Sequence, residues 1–173
     1  MQQIALQSPG RERLAFRAVN RRSAPGYQPG LQRHHLLPCQ LLDAKCFGPL
    51  FDAIGRHRIG FDDFRRNGML LPAREEAAIR MALPLHRGPH RDYNAMVIER
   101  VAQIEENWSA ARRRKPDFAG EEALLRLSLL QTALRRRLLD EARPYLLNRK
   151  DPASREVDFS ELDKLAEELW RSS

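Results

Sequence analysis

The spacing of hydrophobic and polar positions changes along the chain, and each change predicts an element. Short apolar runs at residues 36–37 and 69–71, each ended by a proline, predict two strands. Gly48-Pro49 and Gly88-Pro89 predict two helix starts, because proline suits the first helical position. Residues 73–82 favour a helix throughout. The helix from Pro89 is expected to bury an apolar stripe formed by Val97, Val101, Ile104 and Trp108.

The last third of the chain predicts helices without obvious chemistry. A basic run and Pro116 break the preceding pattern, and residues 124–147 then predict a leucine-rich helix that Pro144 ends or kinks. A final helix is predicted to begin at Ser160, whose side chain can cap free backbone amides. No histidine or cysteine follows Gly120, so this helical hairpin is interpreted as structural.

These elements predict an α+β fold that is mostly helical and forms one domain with a helical appendage. We divide the 173 residues into a basic, poorly ordered N-terminal arm (1–30), a core (31–109), a basic linker (110–120) and a helical C-terminal extension (121–173). All five histidines lie within residues 31–94, so the core is where chemistry is expected.

The charge balance favours a polyanionic partner. Thirty Lys and Arg against 23 Asp and Glu leave a net charge of +7, most of the cations being arginine, which grips phosphate in a fork. A genome rich in G and C, which encodes arginine on any solvated surface, explains the same composition, so charge alone leaves both explanations open. No apolar stretch predicts a membrane span or a secretory signal, so we expect a cytoplasmic protein.

The two cysteines predict neither a zinc pair nor a disulfide framework. Cys39 and Cys46 are separated by six residues, which matches no common ligand spacing. We expect both to be reduced and half-buried.

Four histidines form two pairs whose spacing indicates a site. His34 and His35 are adjacent, so on a strand their side chains point to opposite faces. His86 and His90 share a face if they lie on one helix, and even in a turn Gly88 lets the chain fold so that both rings converge. Together the two pairs make a three-ligand site plus one spare base, which is what metal-assisted hydrolysis needs. Either pair alone is more often an ordinary surface feature.

The predicted helix start at Pro89 places His90 in the first turn, where the helix dipole is positive. That field disfavours imidazolium and keeps the ring in the neutral form that binds metals. The same free amides favour a bound phosphate. His57 stands between two arginines with no partner, so it is expected at the surface.

Three blocks resemble the AHH branch of the HNH/endonuclease VII nucleases. They are QRHHLLP at residues 32–38, RNGMLLP at 66–72 and LHRGPHRDY at 85–93, about a third of the chain. The resemblance implies a ββα-metal core, also called an HNH or His-Me finger, in which a helix crosses a β-hairpin around one metal ion. Arg33 stands where the family usually has a small residue. The C-terminal helices are expected to fall outside the resemblance.

The resemblance also implies a role for each matching residue. His34 would be a metal ligand, His35 the general base that accepts a proton from the attacking water, and Asn67 the residue that holds the hairpin and orients the base. His86 and His90 resemble the remaining ligand positions. With imidazole ligands, zinc, nickel or manganese would fit better than calcium, and magnesium stays open. Asn67-Gly68 without the histidines would indicate a plain turn.

Charged neighbours extend the predicted site. The arginines expected to neutralise substrate phosphates are Arg33, Arg65, Arg66, Arg87 and Arg91. Carboxylates that could orient an imidazole are Asp62, Asp63 and Asp92. Each is more often a solvated charge.

The leading hypothesis is a metal-dependent endonuclease of low sequence specificity, with DNA favoured over RNA. Related nucleases are common as the toxic terminal domain of bacterial polymorphic toxins. This resemblance implies an immunity protein as a partner and delivery out of the cell. The start at Met1 and the helical tail instead predict a stand-alone protein. Two alternatives stay open: a non-catalytic nucleic-acid or protein-binding module with a structural metal, and an adaptor that works through its C-terminal hairpin. Truncation after Pro116 separates nuclease from adaptor, since only the nuclease is expected to keep activity.

Overall fold

The computed structural model describes residues 12–147 and residue 151. Within them the fold is α+β and mostly helical, as predicted, with one two-stranded antiparallel sheet. The final helix predicted from Ser160 lies outside the described residues. In chain order the strands and α-helices are β1 (Leu31–His35), α1 (Gln40–Asp43), α2 (Gly48–Ile54), α3 (Arg56–Ile59), α4 (Phe64–Asn67), β2 (Gly68–Pro72), α5 (Glu75–Met81), α6 (Arg91–Ala111) and α7 (Pro116–Leu138). Two short 3-10 helices lie at Phe16–Ala18 and Lys45–Phe47.

The sheet pairs β1 with β2 so that His34 faces Met69 and His35 faces Gly68. The strand predicted at residues 69–71 is therefore confirmed, whereas the strand predicted at Leu36-Leu37 is wrong because β1 ends at His35. Both leucines are fully buried in the bend that follows the strand. Burial, which produces the same apolar run as a strand, explains the error.

Two predicted helices are confirmed, and two others differ from their predicted limits. The helix at Gly48-Pro49 is confirmed as α2, and α5 lies within the predicted range 73–82. Helix α6 begins at Arg91, two residues after Pro89, because His90 has a non-helical backbone. Helix α7 begins at Pro116 and ends at Leu138, so it is earlier at both ends than the leucine pattern indicated. Of residues 110–120, only 112–115 lie outside helices.

The core is built where α6 packs against α7 and α2. The predicted stripe of α6 is buried as expected, and Tyr93 extends it toward β1. The apolar residues that face it from α2 and α7 are Leu50, Phe51, Ile54, Ala119, Ala123, Leu127, Leu134 and Leu138. Both cysteines are free and exposed, which corrects the expectation that they are half-buried.

Polar side chains of α7 also form hydrogen bonds to the chain between α3 and the start of β2, which is the second strand of the β1–β2 hairpin. The buried Gln131 donates to the carbonyl of Ile59 and to Oδ1 of Asn67. Arg135 donates to the carbonyls of Gly68, Arg65 and Arg66, where α4 ends and β2 begins. Truncation after Pro116 removes these bonds, so we no longer expect a chain cut there to keep activity.

The described part of the predicted basic arm contacts the core. Ala15 forms a β-bridge with Asp63, and the carbonyl of Leu14 accepts a hydrogen bond from the amide of Phe64. Phe16 is buried. Residues 14–16 are therefore part of the folded core and not of a loose arm.

Gly68 is needed for space and not for a turn. Its backbone is extended, with φ −119°, so the plain turn considered for Asn67-Gly68 does not form. A Cβ atom at this position would lie 2.3 Å from Cδ2 of Phe64. The glycine allows the Phe64 ring to lie against the start of β2.

Candidate metal centre

Three of the predicted site histidines converge on one point. His34 lies on β1 and is buried, whereas His86 and His90 lie in the loop that leads from α5 to α6. One nitrogen from each of the three rings lies within 4.8 Å of the others. The ring centroids of His86 and His90 are 4.4 Å apart, and that of His34 is 5.0 Å from His86 and 5.6 Å from His90.

The loop is directed toward β1 by a backbone bond at His86 and by a turn at Gly88. The amide of His86 donates to the carbonyl of Pro72 at 2.7 Å, which fixes the loop to the end of β2. Gly88 has φ 81°, a conformation that favours glycine. His86 and His90 therefore converge through the turn, one of the two routes anticipated, and not through a shared helix face. His90 is the N-cap residue of α6, just before the first turn.

Hydrogen bonds define which nitrogen of two rings is available to a metal. Nδ1 of His86 lies 3.0 Å from Oε1 of Gln32, and Nδ1 of His90 lies 3.3 Å from the carbonyl of Leu147. Carbonyl oxygens only accept, so each Nδ1 donates and each Nε2 keeps its lone pair. Such outer partners fix the tautomer and orientation of metal-binding imidazoles.

His34 carries the clearest mark of an absent partner. It is 3% exposed, and its Nε2 is buried with no hydrogen-bond partner among the described residues. A buried polar atom without a partner costs about 1–3 kcal/mol. Coordination of a metal ion through Nε2 would satisfy this nitrogen.

All three rings are neutral near pH 7. Burial, with smaller effects from His86 and His90, lowers the pKa of His34 to about 3. Burial, followed by the effect of His90, lowers the pKa of His86 to about 4. Burial also lowers the pKa of His90, although its bond to Leu147 opposes the shift. Neutral imidazole is the form that binds divalent ions, so the residues present fit a metal.

The pKa of His34 predicts how the metal-free protein responds to acid. Between pH 6.5 and 5 the unfolded chain protonates this imidazole and the folded chain, with its pKa about 3, does not. Because the unfolded state then binds more protons, stability falls as pH falls, by up to about 1.4 kcal/mol per pH unit from this residue. Urea unfolding at pH 7, 6 and 5 measures the slope. His34→Leu should make the slope shallower, while the lowered pKa values of His86 and His90 keep part of it. An equal slope in the two proteins would contradict the assignment.

His35 points to the opposite side of β1, as the adjacent pair predicted. Its half-buried ring stacks on Phe16, with centroids 3.7 Å apart and planes 2° apart. Burial lowers the pKa of His35, while the charge of Asp62 opposes the shift. A charge on His35 would also lower the pKa values of His34 and His86, so the ring lies close to the cluster.

Asn67 is fully buried at the end of α4 and uses its amide on the backbone around it. Oδ1 accepts from the amide of Leu37 at 2.7 Å, and Nδ2 donates to the carbonyls of Leu37 and Phe61. No hydrogen bond joins it to the His35 ring within the described part of the chain. Any effect on His35 passes through the backbone that follows β1.

The five arginines are all exposed, and three of them bond to backbone carbonyls. Arg33 donates to Phe16 and Val19, Arg65 to Glu12, and Arg66 to Arg58. Arg87 and Arg91 directly follow His86 and His90 in the chain.

The predicted carboxylate partners of the imidazoles are not used as such. Among the described residues no imidazole hydrogen-bonds to Asp62, Asp63 or Asp92. Asp62 pairs with Arg13, and Asp63 accepts from the amides of Leu14 and Arg65. His57 is exposed, as expected.

The sequence hypothesis missed the residues that support the rings. Gln32 had a usable signal, because positions two apart on a strand share a face and Gln32 stands two before His34. Phe16 and Gln131 had none, since both reach the site across large sequence separations. The carbonyl of Leu147 carries no side-chain signal at all.

The fold and the site together define a small α+β protein in which β1 and the loop before α6 bring three histidines together. The model of the AHH family, a nuclease family of the HNH/ENDO VII superfamily with conserved AHH, matches residues 15–133. This range is more than half of the chain, and the chain belongs to the AHH family. No curated protein and no solved structure matches.

The family match also corrects one expectation. It extends through α6 and across most of α7, so these helices do not fall outside the resemblance. None of the described helices is both long and apolar enough to span a membrane.

Proposed function

We propose that this protein is a metal-dependent endonuclease in which His34, His86 and His90 hold one divalent ion. The observation that carries the proposal is the convergence of three neutral imidazoles, one of them with a buried, unpartnered Nε2. Strands β1 and β2 with α6 would form the ββα-metal unit implied by family membership. Three imidazoles are also the ligand set with which some catalytic zinc sites keep an open position.

The chain's own residues supply the remaining chemistry. A bound divalent ion would stabilise negative charge on the phosphate and on the leaving oxygen. His35 would accept the proton of the attacking water, because its pKa is lowered and its ring is neutral at pH 7. Its ring is half-buried, so solvent and substrate can still reach it. Asn67 would keep the backbone after His35 in place through its bonds to Leu37.

The choice of ion follows from the donor atoms. Imidazole nitrogen suits zinc, nickel and manganese better than the hard cation calcium. Magnesium would be held through one or more protein ligands, with water and substrate oxygens completing its octahedral shell.

Double-stranded DNA of any sequence is the proposed substrate. The net charge of +7 and the exposed Arg65, Arg66, Arg87 and Arg91 suit contacts with a phosphate backbone. Phosphate contacts position a protein on DNA without reading the bases, so low sequence specificity and strong salt dependence are expected.

Cleavage assays test this proposal directly. Supercoiled plasmid and structured RNA are incubated with the protein and Mg²⁺, Mn²⁺, Zn²⁺ or Ni²⁺, with EDTA as the metal-free arm. We expect plasmid cleavage that needs metal and that falls by about 10²- to 10⁴-fold in His35→Ala, the range contributed by general bases. The matched control is His57→Ala, an exposed histidine that should cleave like the wild type.

Two results would overturn parts of the proposal. Metal binding lost in His35→Ala would remove its assignment as base. No cleavage with any ion by a folded protein that binds metal would favour the non-catalytic module, and chelation should then lower its melting temperature steeply.

A further inference from the structure

The ring of His35 lies on a surface supplied by a segment far from it in sequence. Phe16 stacks against it with parallel planes, and the Phe16 ring in turn meets Phe64 edge-to-face at 5.2 Å. Phe16 is 6% exposed, so it is fixed by packing on more than one side. A parallel stack constrains the plane of an imidazole that otherwise rotates about its last bond.

Arg33 holds this segment from β1. Residues two apart on a strand share a face, so Arg33 lies on the same side as His35 and opposite His34. Its guanidinium donates to the carbonyl of Phe16 at 2.8 Å and to that of Val19 at 3.3 Å. The cation therefore fixes the backbone on both sides of the short turn that begins at Phe16.

The other end of the segment is fixed by α4. The amide of Leu14 donates to Asp63 Oδ1, and the carbonyl of Leu14 accepts from the amide of Phe64 at 2.7 Å. The same Asp63 oxygen caps α4 through the amide of Arg65. Phe16 is thus placed by bonds before and after it, and Phe64 belongs to the helix that supports it.

We propose that Phe16 and Arg33 are positioning residues that fix the ring of His35 for proton transfer. The inference rests on the proposed function. Arg33 stands where the family's conserved AHH has alanine. Its hydrogen bonds to the carbonyls of Phe16 and Val19 are contacts that an alanine side chain could not make. A base displaced by about 1 Å can lose about 10²-fold in rate, so a fixed ring plane has catalytic value.

Substitution of Phe16 separates stacking from simple burial. Phe16→Leu keeps an apolar side chain and removes the ring, whereas Phe16→Tyr keeps the ring. We expect kcat to fall by about 10- to 100-fold in the leucine variant, with KM and metal affinity unchanged, and to stay near the wild-type value in the tyrosine variant. Equal kcat in wild type and Phe16→Leu would overturn the proposal.

Arg33→Ala provides a second test by restoring the family's residue. If Arg33 positions the segment, kcat falls while KM and the salt dependence of DNA binding stay as in the wild type. If Arg33 instead contacts phosphate, KM rises and the log–log slope of affinity against salt falls by about one. The second result would assign Arg33 to the substrate and overturn its positioning role.

A spectroscopic measurement tests the stack without any activity. Proton NMR of the metal-free protein, with His35→Ala to assign the signals, should show the His35 ring protons displaced by the ring current of Phe16. Phe16→Leu should remove the displacement. A wild type that cleaves nothing would defeat the proposed function, whereas an active wild type with undisplaced His35 signals would defeat this inference alone.

Discussion

Replacing His34 by leucine should abolish metal binding and cleavage while making the metal-free protein more stable. The variant removes one of three ligands, and since losing even an outer partner costs about 10- to 100-fold in metal affinity, a larger loss is expected. It also removes a buried Nε2 that has no partner among the described residues, which should raise the free energy of unfolding by about 1 kcal/mol. Calorimetric titration with Zn²⁺ or Mn²⁺ and urea unfolding measure the two effects.

The opposite signs make the His34 experiment informative. If His34→Leu damaged the fold, stability and metal affinity would both fall. If His34 is a metal ligand that is kept at a cost in stability, its replacement lowers the metal affinity and raises the stability. His57→Leu is the matched control, because His57 is exposed and should change neither quantity appreciably. Metal affinity within a few-fold of the wild type in His34→Leu would exclude His34 as a ligand.

Replacing Asn67 by alanine should destabilise the protein by about 3 kcal/mol or more. The fully buried amide makes two hydrogen bonds to Leu37, one to Phe61 and one with Gln131. Truncation leaves several of these buried groups without partners, each at a cost of about 1–3 kcal/mol. Urea unfolding with and without metal gives the change in free energy.

Asn107 offers the control for Asn67. It is exposed on α6, and among the described residues its side chain donates to the carbonyl of Gln103 alone, one turn earlier. Asn107→Ala should change stability by no more than about 0.5 kcal/mol. If the two variants were equally stable, the amide of Asn67 would not hold the hairpin and its proposed effect on His35 would fail.

Local pattern was enough to predict β2, the buried face of α6 and the turn between the two histidines that follow α5. The apolar run ended by Pro72 predicted β2, and the spacing of Val97, Val101 and Trp108 predicted the buried face of α6. Gly88 between two histidines indicated a turn that brings the rings together. In each case one short stretch contained both the signal and its physical cause.

Features that depend on distant partners could not be predicted in the same way. Leu36-Leu37 is apolar because it is buried after β1, and a strand would have produced the same pattern. The polar residues of α7 gave no sign that Gln131 and Arg135 bond to the hairpin. The stack of Phe16 on His35 depends on how an early segment folds back, which no local spacing encodes.

The bond between His90 and Leu147 has a consequence for how the protein is made. The two residues are 57 positions apart, and the carbonyl that orients the His90 ring belongs to the chain beyond α7. Synthesis proceeds from the N-terminus, so His34, His86 and Gln32 leave the ribosome well before this carbonyl. We therefore expect the nascent protein to acquire its full affinity for metal only after the chain beyond α7 has emerged and folded back onto His90.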